Sequence, residues 1–102
     1  MNAIITNNMD KIQLLCKQNK VIELYAFGSV TDSKKFNANS DVDLIIKFDN
    51  IPVEDYADYY FDLAEGFEKL FGRRVDLLID KPIKNPYFKE AVEESKTMIY
   101  AA

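Results

Sequence analysis

Three short runs rich in strand-forming residues most constrain what this chain can become: Val21-Ile22-Glu23-Leu24-Tyr25-Ala26-Phe27, then Asp41 to Phe48, then Val75-Asp76-Leu77-Leu78-Ile79. They are short, apolar and mostly bounded by polar or turn-forming residues, the pattern of buried strands. The first ends at Gly28, and a polar, irregular stretch from Ser29 to Asn39 leads to the second. Amphipathic helical patterns fill the remainder. Within 6–19, Met9, Ile12, Leu15 and Cys16 recur at three-and-four spacing, with Asn7 or Asn8 placed as cap. Pro52 suits the first turn of the next helix. Tyr56, Tyr59, Tyr60, Leu63, Phe67, Leu70 and Phe71 then trace a stripe, with Glu54, Asp55, Asp58, Asp62 and Glu65 mostly off it. Gly66 costs that helix about 1 kcal/mol relative to alanine, and Gly72 stands where a C-cap belongs. Asn85 and Pro86 open a last helix, with Phe88, Ala91, Val92, Ser95 and Ile99 as its buried face. The predicted order is helix, strand, strand, helix, strand, helix. That is an α/β (α+β) fold, a small mixed sheet flanked by helices.

A chain of 102 residues, 48% of them apolar and including six Tyr and seven Phe, is expected to form one domain with one core. The single cysteine, Cys16, cannot form an internal disulfide and reads as a small core residue. No apolar run approaches the roughly 20 residues needed to span a bilayer, and no charged-then-apolar leader pattern opens the chain, so a cytoplasmic protein without membrane contact is expected. The net charge of −4 argues against a dedicated nucleic-acid binder, whose affinity rests on basic side chains. It leaves room for a nucleotide held by a few lysines and a divalent cation. Histidine is absent, which removes the usual general base, the usual zinc ligand and every serine–histidine triad. Chemistry here falls to carboxylates, lysines, tyrosines and metals.

Asp41 and Asp43 stand two apart at the start of a strand, so their side chains leave the same face. Two such charges raise each other's pKa unless something positive lies between them. Hard oxygen ligands suit Mg²⁺ or Mn²⁺, and a second ion about 3.5–4 Å away would complete a clamp on a phosphoryl centre. Alone, an Asp-x-Asp pair reads as readily as a turn cap beside an exposed edge. Its setting in Val42-Asp43-Leu44-Ile45-Ile46 makes an unpaired Asp43 costly. Gly28 lets backbone approach a ligand closely, and Ser29 offers a hydroxyl and an N–H to a phosphate oxygen. Asp76 is one charge in a strand that otherwise wants burial; pairing with Arg73 or Arg74 is the structural alternative. Lys47 shares the strand face of Asp41 and Asp43 and is equally suited to solvent. The tyrosine stripe reads as core or partner interface rather than a base-stacking platform.

Phe27-Gly28-Ser29, a polar loop, and Ser40-Asp41-Val42-Asp43-Leu44 together resemble the signature of the DNA polymerase β-like nucleotidyltransferase superfamily. The similarity extends to its smallest members, the minimal nucleotidyltransferases paired with HEPN-domain proteins, and covers essentially the whole chain, 1–102, as one nucleotidyltransferase domain. The resemblance implies that Gly28, Ser29 and Ser40 bind the triphosphate, and that Asp41, Asp43 and Asp76 are catalytic and bind two Mg²⁺ (or Mn²⁺) ions. It implies transfer of a nucleoside monophosphate, AMP from ATP, to a hydroxyl, with a tyrosine of a HEPN toxin as acceptor and this chain as antitoxin. The alternative of another class is a non-catalytic module that neutralises a partner by docking. Eleven residues separate Ser29 from Asp41, one more than is usual in the family. Thr31-Asp32-Ser33-Lys34-Lys35 stands where the family often carries Arg-Gly or Lys-Gly, leaving Lys34 or Lys35 as the substitute cation.

Overall fold

The computed structural model describes residues 2–32, 34–80 and 84–102. Strand alternation organises it. In β2 (Val42–Phe48), Val42, Leu44, Ile46 and Phe48 are buried in the main core, whereas Asp43, Ile45 and Lys47 leave the opposite face. β1 (Val21–Phe27) sends Leu24 and Ala26 to the main core and Tyr25 and Phe27 the other way. A bulge between Val21 and Glu23 turns Val21 back onto the core side. In β3 (Val75–Ile79), Val75 and Leu77 join that core and Asp76 stays exposed.

The main core is closed by two helices, α2 (Met9–Gln18) and α3 (Tyr56–Phe71), through Ile12, Cys16, Leu63, Phe67 and Phe71. β2 and β3 are parallel neighbours, so the chain must return between them. The sixteen residues of α3 rise about 24 Å and make that return. Gly72 ends the helix in the left-handed conformation at φ 66°, as its position predicts. On the other sheet face, α4 (Pro86–Ser95) lays Val92 against Phe27 and Ile45 in a second, smaller core. Asn85 caps α4 through its side-chain oxygen, which accepts the N–H groups of Tyr87 and Phe88, with Pro86 in the first turn.

The first predicted helix is α2, with Asn8 at its N-cap position as expected, although the Asn8 side chain donates to Ile4 O of a short preceding helix, α1 (Ala3–Thr6), at 2.7 Å and makes no capping bond. Two expectations are corrected. Pro52 lies outside α3, in an extended conformation ahead of a short 3-10 turn, Val53–Asp55. The last helix stops at Ser95, short of Ile99. Thr97–Ala101 forms a fourth strand, β4, antiparallel to β1, giving the sheet order β3-β2-β1-β4. Thr97, Ile99 and Tyr100 are good strand formers, and the open edge of β1 offers them a ladder that outweighs one more helical turn. Of the face expected for α4, Val92 is buried but Phe88 and Ala91 are exposed.

Cys16 is fully buried, and its thiol is pushed up to about 12 by desolvation, the state of an inert core residue. Gly66 has a packing reason for its place in α3: a Cβ there would lie 2.7 Å from Leu15 Cδ2 on α2. The gain of about 1 kcal/mol in helix propensity from Gly66→Ala is set against overpacking of about 1–3 kcal/mol. Urea denaturation is expected to show Gly66→Ala destabilised by about 1 kcal/mol, and the same substitution to stabilise a Leu15→Ala background.

Candidate functional site

Phe27, Asp43 and Asp76 occupy one row across β1, β2 and β3, since Phe27 pairs with Asp43 and Asp43 with Asp76. Neighbouring strands stand about 4.8 Å apart, so the two aspartates are held side by side on one face. Asp41 lies one residue ahead of β2, close enough for its charge to act on Asp43. Gly28 ends the row beyond Phe27. It has φ +71°, and Asp43 Oδ2 sits 2.6 Å from where its Cβ would be. Only glycine lets the chain turn there without displacing the carboxylate.

Ser29 follows in a short 3-10 turn, Gly28–Thr31. A cleft of about 480 Å³ opens beside it, walled by Gly28, Ser29, Thr31 and Asp32 on one side and by Ala91, Glu94 and Ser95 of α4 on the other, with Lys35 contributing. Of the two loop lysines Lys35 borders this cleft; both are exposed, and Ser33 lies outside the described residues. Ser40 is occupied locally: its hydroxyl accepts the Asn37 N–H at 3.1 Å, and its carbonyl accepts from Arg73 at 3.0 Å. Lys47 turns to Glu23 at 3.4 Å, away from the aspartate row.

Neither arginine pairs with Asp76 among the described residues. Arg73 bonds the carbonyls of Asn37 and Ser40 and lies 4.4 Å over the Phe36 ring, so it pins the loop that delivers Asp41. Arg74 approaches Asp41 at 4.0 Å, a largely exposed pair worth little. Sequence reasoning missed Arg73 as the brace of this loop and Ser95 as a partner of Gly28, whose N–H donates to Ser95 Oγ at 2.8 Å. No local pattern signals either contact.

Burial first, then the charges of Asp76 and Asp41, push the Asp43 carboxyl up to about 6. That is the behaviour of a carboxylate cluster lacking a positive charge. Among the described residues no three Asp, Glu, Cys or His side chains already converge to hold an ion. The donor set nevertheless fits a hard divalent cation: three carboxylates lie along one end of the sheet, and the adjoining cleft is lined by Asp32 and Glu94 with Lys35 as its one cation among the described residues. An anionic triphosphate entering here needs accompanying positive charge.

The Asp43 shift has a consequence for the metal-free chain. An unfolded aspartate titrates near 3.9. The raised folded value means that Asp43 contributes stability when protonated, in full below pH 4, and that this is lost as pH rises through about 6. Partial exposure reduces the effect to about 1–2 kcal/mol. In chelator-treated protein, Asp43→Asn is expected to raise the melting temperature at pH 7 and to flatten the decline between pH 4 and 7; scanning calorimetry across that range reads both.

Comparison with known proteins bears on this geometry. Residues 10–102 match the family described as "Polymerase beta, Nucleotidyltransferase". The chain is 34% identical over 82 residues to "Putative protein adenylyltransferase MJ1379" of Methanocaldococcus jannaschii, spanning 80% of each chain. Its fold is shared with a solved "putative minimal nucleotidyltransferase" at a TM-score of 0.72 and 22% identity, covering 95% of both chains. A second solved structure, of a "toxin-antitoxin with AMP-PNP", superposes with a TM-score of 0.66 at 21% identity, covering 93% of this chain and 74% of that one. The match over nearly the whole length, with a row of aspartates beside a glycine–serine turn at its centre, places this chain in the polymerase β nucleotidyltransferase family.

Proposed function

We propose that this chain transfers AMP from ATP to a hydroxyl group on a partner protein, a tyrosine of a HEPN-domain toxin, and so acts as an antitoxin in the cytoplasm. The single observation that carries the reading is the Asp43–Asp76 pair, fixed side by side by parallel register next to Gly28. Family membership supports nucleotidyl transfer. The name of MJ1379 supports a protein acceptor, and the toxin–antitoxin neighbour with AMP-PNP supports an adenine nucleotide and a toxin partner.

The chain's own residues divide the work. Gly28 gives the triphosphate close access to backbone, and the Ser29 N–H and hydroxyl donate to its outer phosphate oxygens. Asp41, Asp43 and Asp76 are the ligands for Mg²⁺ or Mn²⁺, which when bound neutralises the phosphates and their developing charge. Asp76 takes the proton of the incoming hydroxyl in this reading, a role supported by its exposure and its position on the strand farther from Gly28. That oxygen forms a bond to the α-phosphorus as the bond to pyrophosphate breaks, and pyrophosphate leaves on the side of Gly28-Ser29. Catalysis rests on positioning and charge, with no covalent enzyme intermediate. The surplus of acidic residues gives no footing for a nucleic-acid acceptor.

Incubation with Mg-ATP and the product of the adjacent gene is expected to add the mass of AMP to a tyrosine of that protein. Asp41→Ala, Asp43→Ala and Asp76→Ala should each lower the rate at least about 100-fold, while the melting temperature of the Asp76 variant stays near that of the parent. No added mass, together with inhibition of the partner that survives Asp41→Ala plus Asp43→Ala, would establish the docking module instead.

A further inference from the structure

Gly28 is gripped from both sides. Its N–H donates to Ser95 Oγ at 2.8 Å, and its carbonyl accepts from Thr31 Oγ1 at 2.7 Å. The Thr31 bond is local turn chemistry. The Ser95 bond spans 67 positions and ties the last residue of α4 to the glycine turn. The Ser95 hydroxyl places its own proton on Ala91 O at 3.2 Å, which leaves its lone pairs for Gly28. A second anchor keeps Ser95 itself in place, since its carbonyl accepts from Thr97 Oγ1 at 2.9 Å at the entry to β4.

The consequence concerns which groups can meet a phosphate. A backbone N–H is one donor, and the one on Gly28 is engaged. Gly28 therefore supplies shape, and donation to phosphate oxygens begins at Ser29. The Phe27–Gly28 peptide held by Ser95 leads into the turn beside Asp43, where a Cβ on Gly28 would meet Oδ2 at 2.6 Å, so a turn released from α4 would shift Ser29 and crowd Asp43 together. We infer that Ser95 is the positioning residue of the triphosphate-binding turn, holding Gly28 by its N–H so that Ser29 faces the nucleotide. The inference rests on the nucleotidyltransferase reading of Gly28-Ser29.

The chain has three glycines, so labelling with ¹⁵N-glycine gives one backbone amide signal each for Gly28, Gly66 and Gly72. In Ser95→Ala the Gly28 signal is expected to shift and its deuterium exchange to speed up at least about tenfold, with the other two signals unmoved. Calorimetric affinity for Mg-ATP is expected to fall about tenfold with the melting temperature held, and Ser95→Thr to restore both readouts. Should Ser95→Ala fail to fold, Ser95→Cys, which keeps the side-chain size and replaces the hydroxyl with a weaker acceptor, is read in the same way. Parental Mg-ATP affinity in a folded Ser95→Ala chain overturns the positioning role and leaves the nucleotidyltransferase reading standing. A parent chain that binds no triphosphate overturns both, while the glycine spectra still report whether Ser95 holds the turn.

Discussion

A carboxylate half-buried among like charges is the constraint around which the rest is arranged. Asp43 stands between β1 and β3, with Asp76 directly beside it and Asp41 two residues away; burial first, and then those two charges, push its carboxyl up to about 6. Nothing local favours this arrangement. It is imposed from the opposite face, where Val42, Leu44, Ile46, Val75 and Leu77 are buried against α2 and α3. A one-residue slip of β2 would relieve the charges only by turning four buried apolar side chains outward, so the register holds. The hydrophobic core thus stores the electrostatic tension that a cation or a proton would release.

The sheet's two faces are correspondingly unequal. One carries the main core; among the described residues the other carries Phe27, Ile45 and Val92 as buried side chains, with Tyr25 and Leu78 packed beside them. α4 therefore covers part of that face and leaves the aspartate row accessible at one end. Beside the packing of Val92, the Ser95 bond to Gly28 fixes its end to the sheet. β4 continues directly from it and pairs with the far side of β1. The chain from Pro86 onward is thus joined to one edge of β1 through β4 and to the glycine turn at the end of β1 through α4.

Much of this was legible in the residues, for physical reasons that differ by element. The three strands announced themselves because each run is short, apolar and bracketed, and the α3 stripe because a 3.6-residue period sustained over sixteen residues has few other readings. Gly28 and the Asp41–Asp43 pair were readable because their spacing is local. Asp76 was ambiguous from its own neighbours, since its role depends on lying beside Asp43 across a parallel ladder; the family resemblance supplied it. β4 was hidden because its partners, residues 23–26, lie some seventy positions upstream and a helical pattern ran into it. Ser95 looked like a small residue on a helix face for the same reason: its partner is in another element. Gly66 had a visible cost and an invisible cause, Leu15 on the facing helix.

The altered loop between Ser29 and Asp41 takes on a definite meaning in this frame. Its aromatic residue, Phe36, carries the Arg73 guanidinium, and Arg73 in turn bonds Asn37 and Ser40. The arginine's charge is thereby engaged in holding the loop, and the cleft is lined by Asp32, Glu94 and Lys35. A site so arranged cannot attract a bare triphosphate by its own field. The electrostatics demand that anion and divalent cation arrive as a neutralising unit, the cation meeting the aspartate row as the phosphates meet Ser29. Arg73 braces the loop at the point where Asp41 begins, so its irregular conformation ends before it reaches the carboxylates.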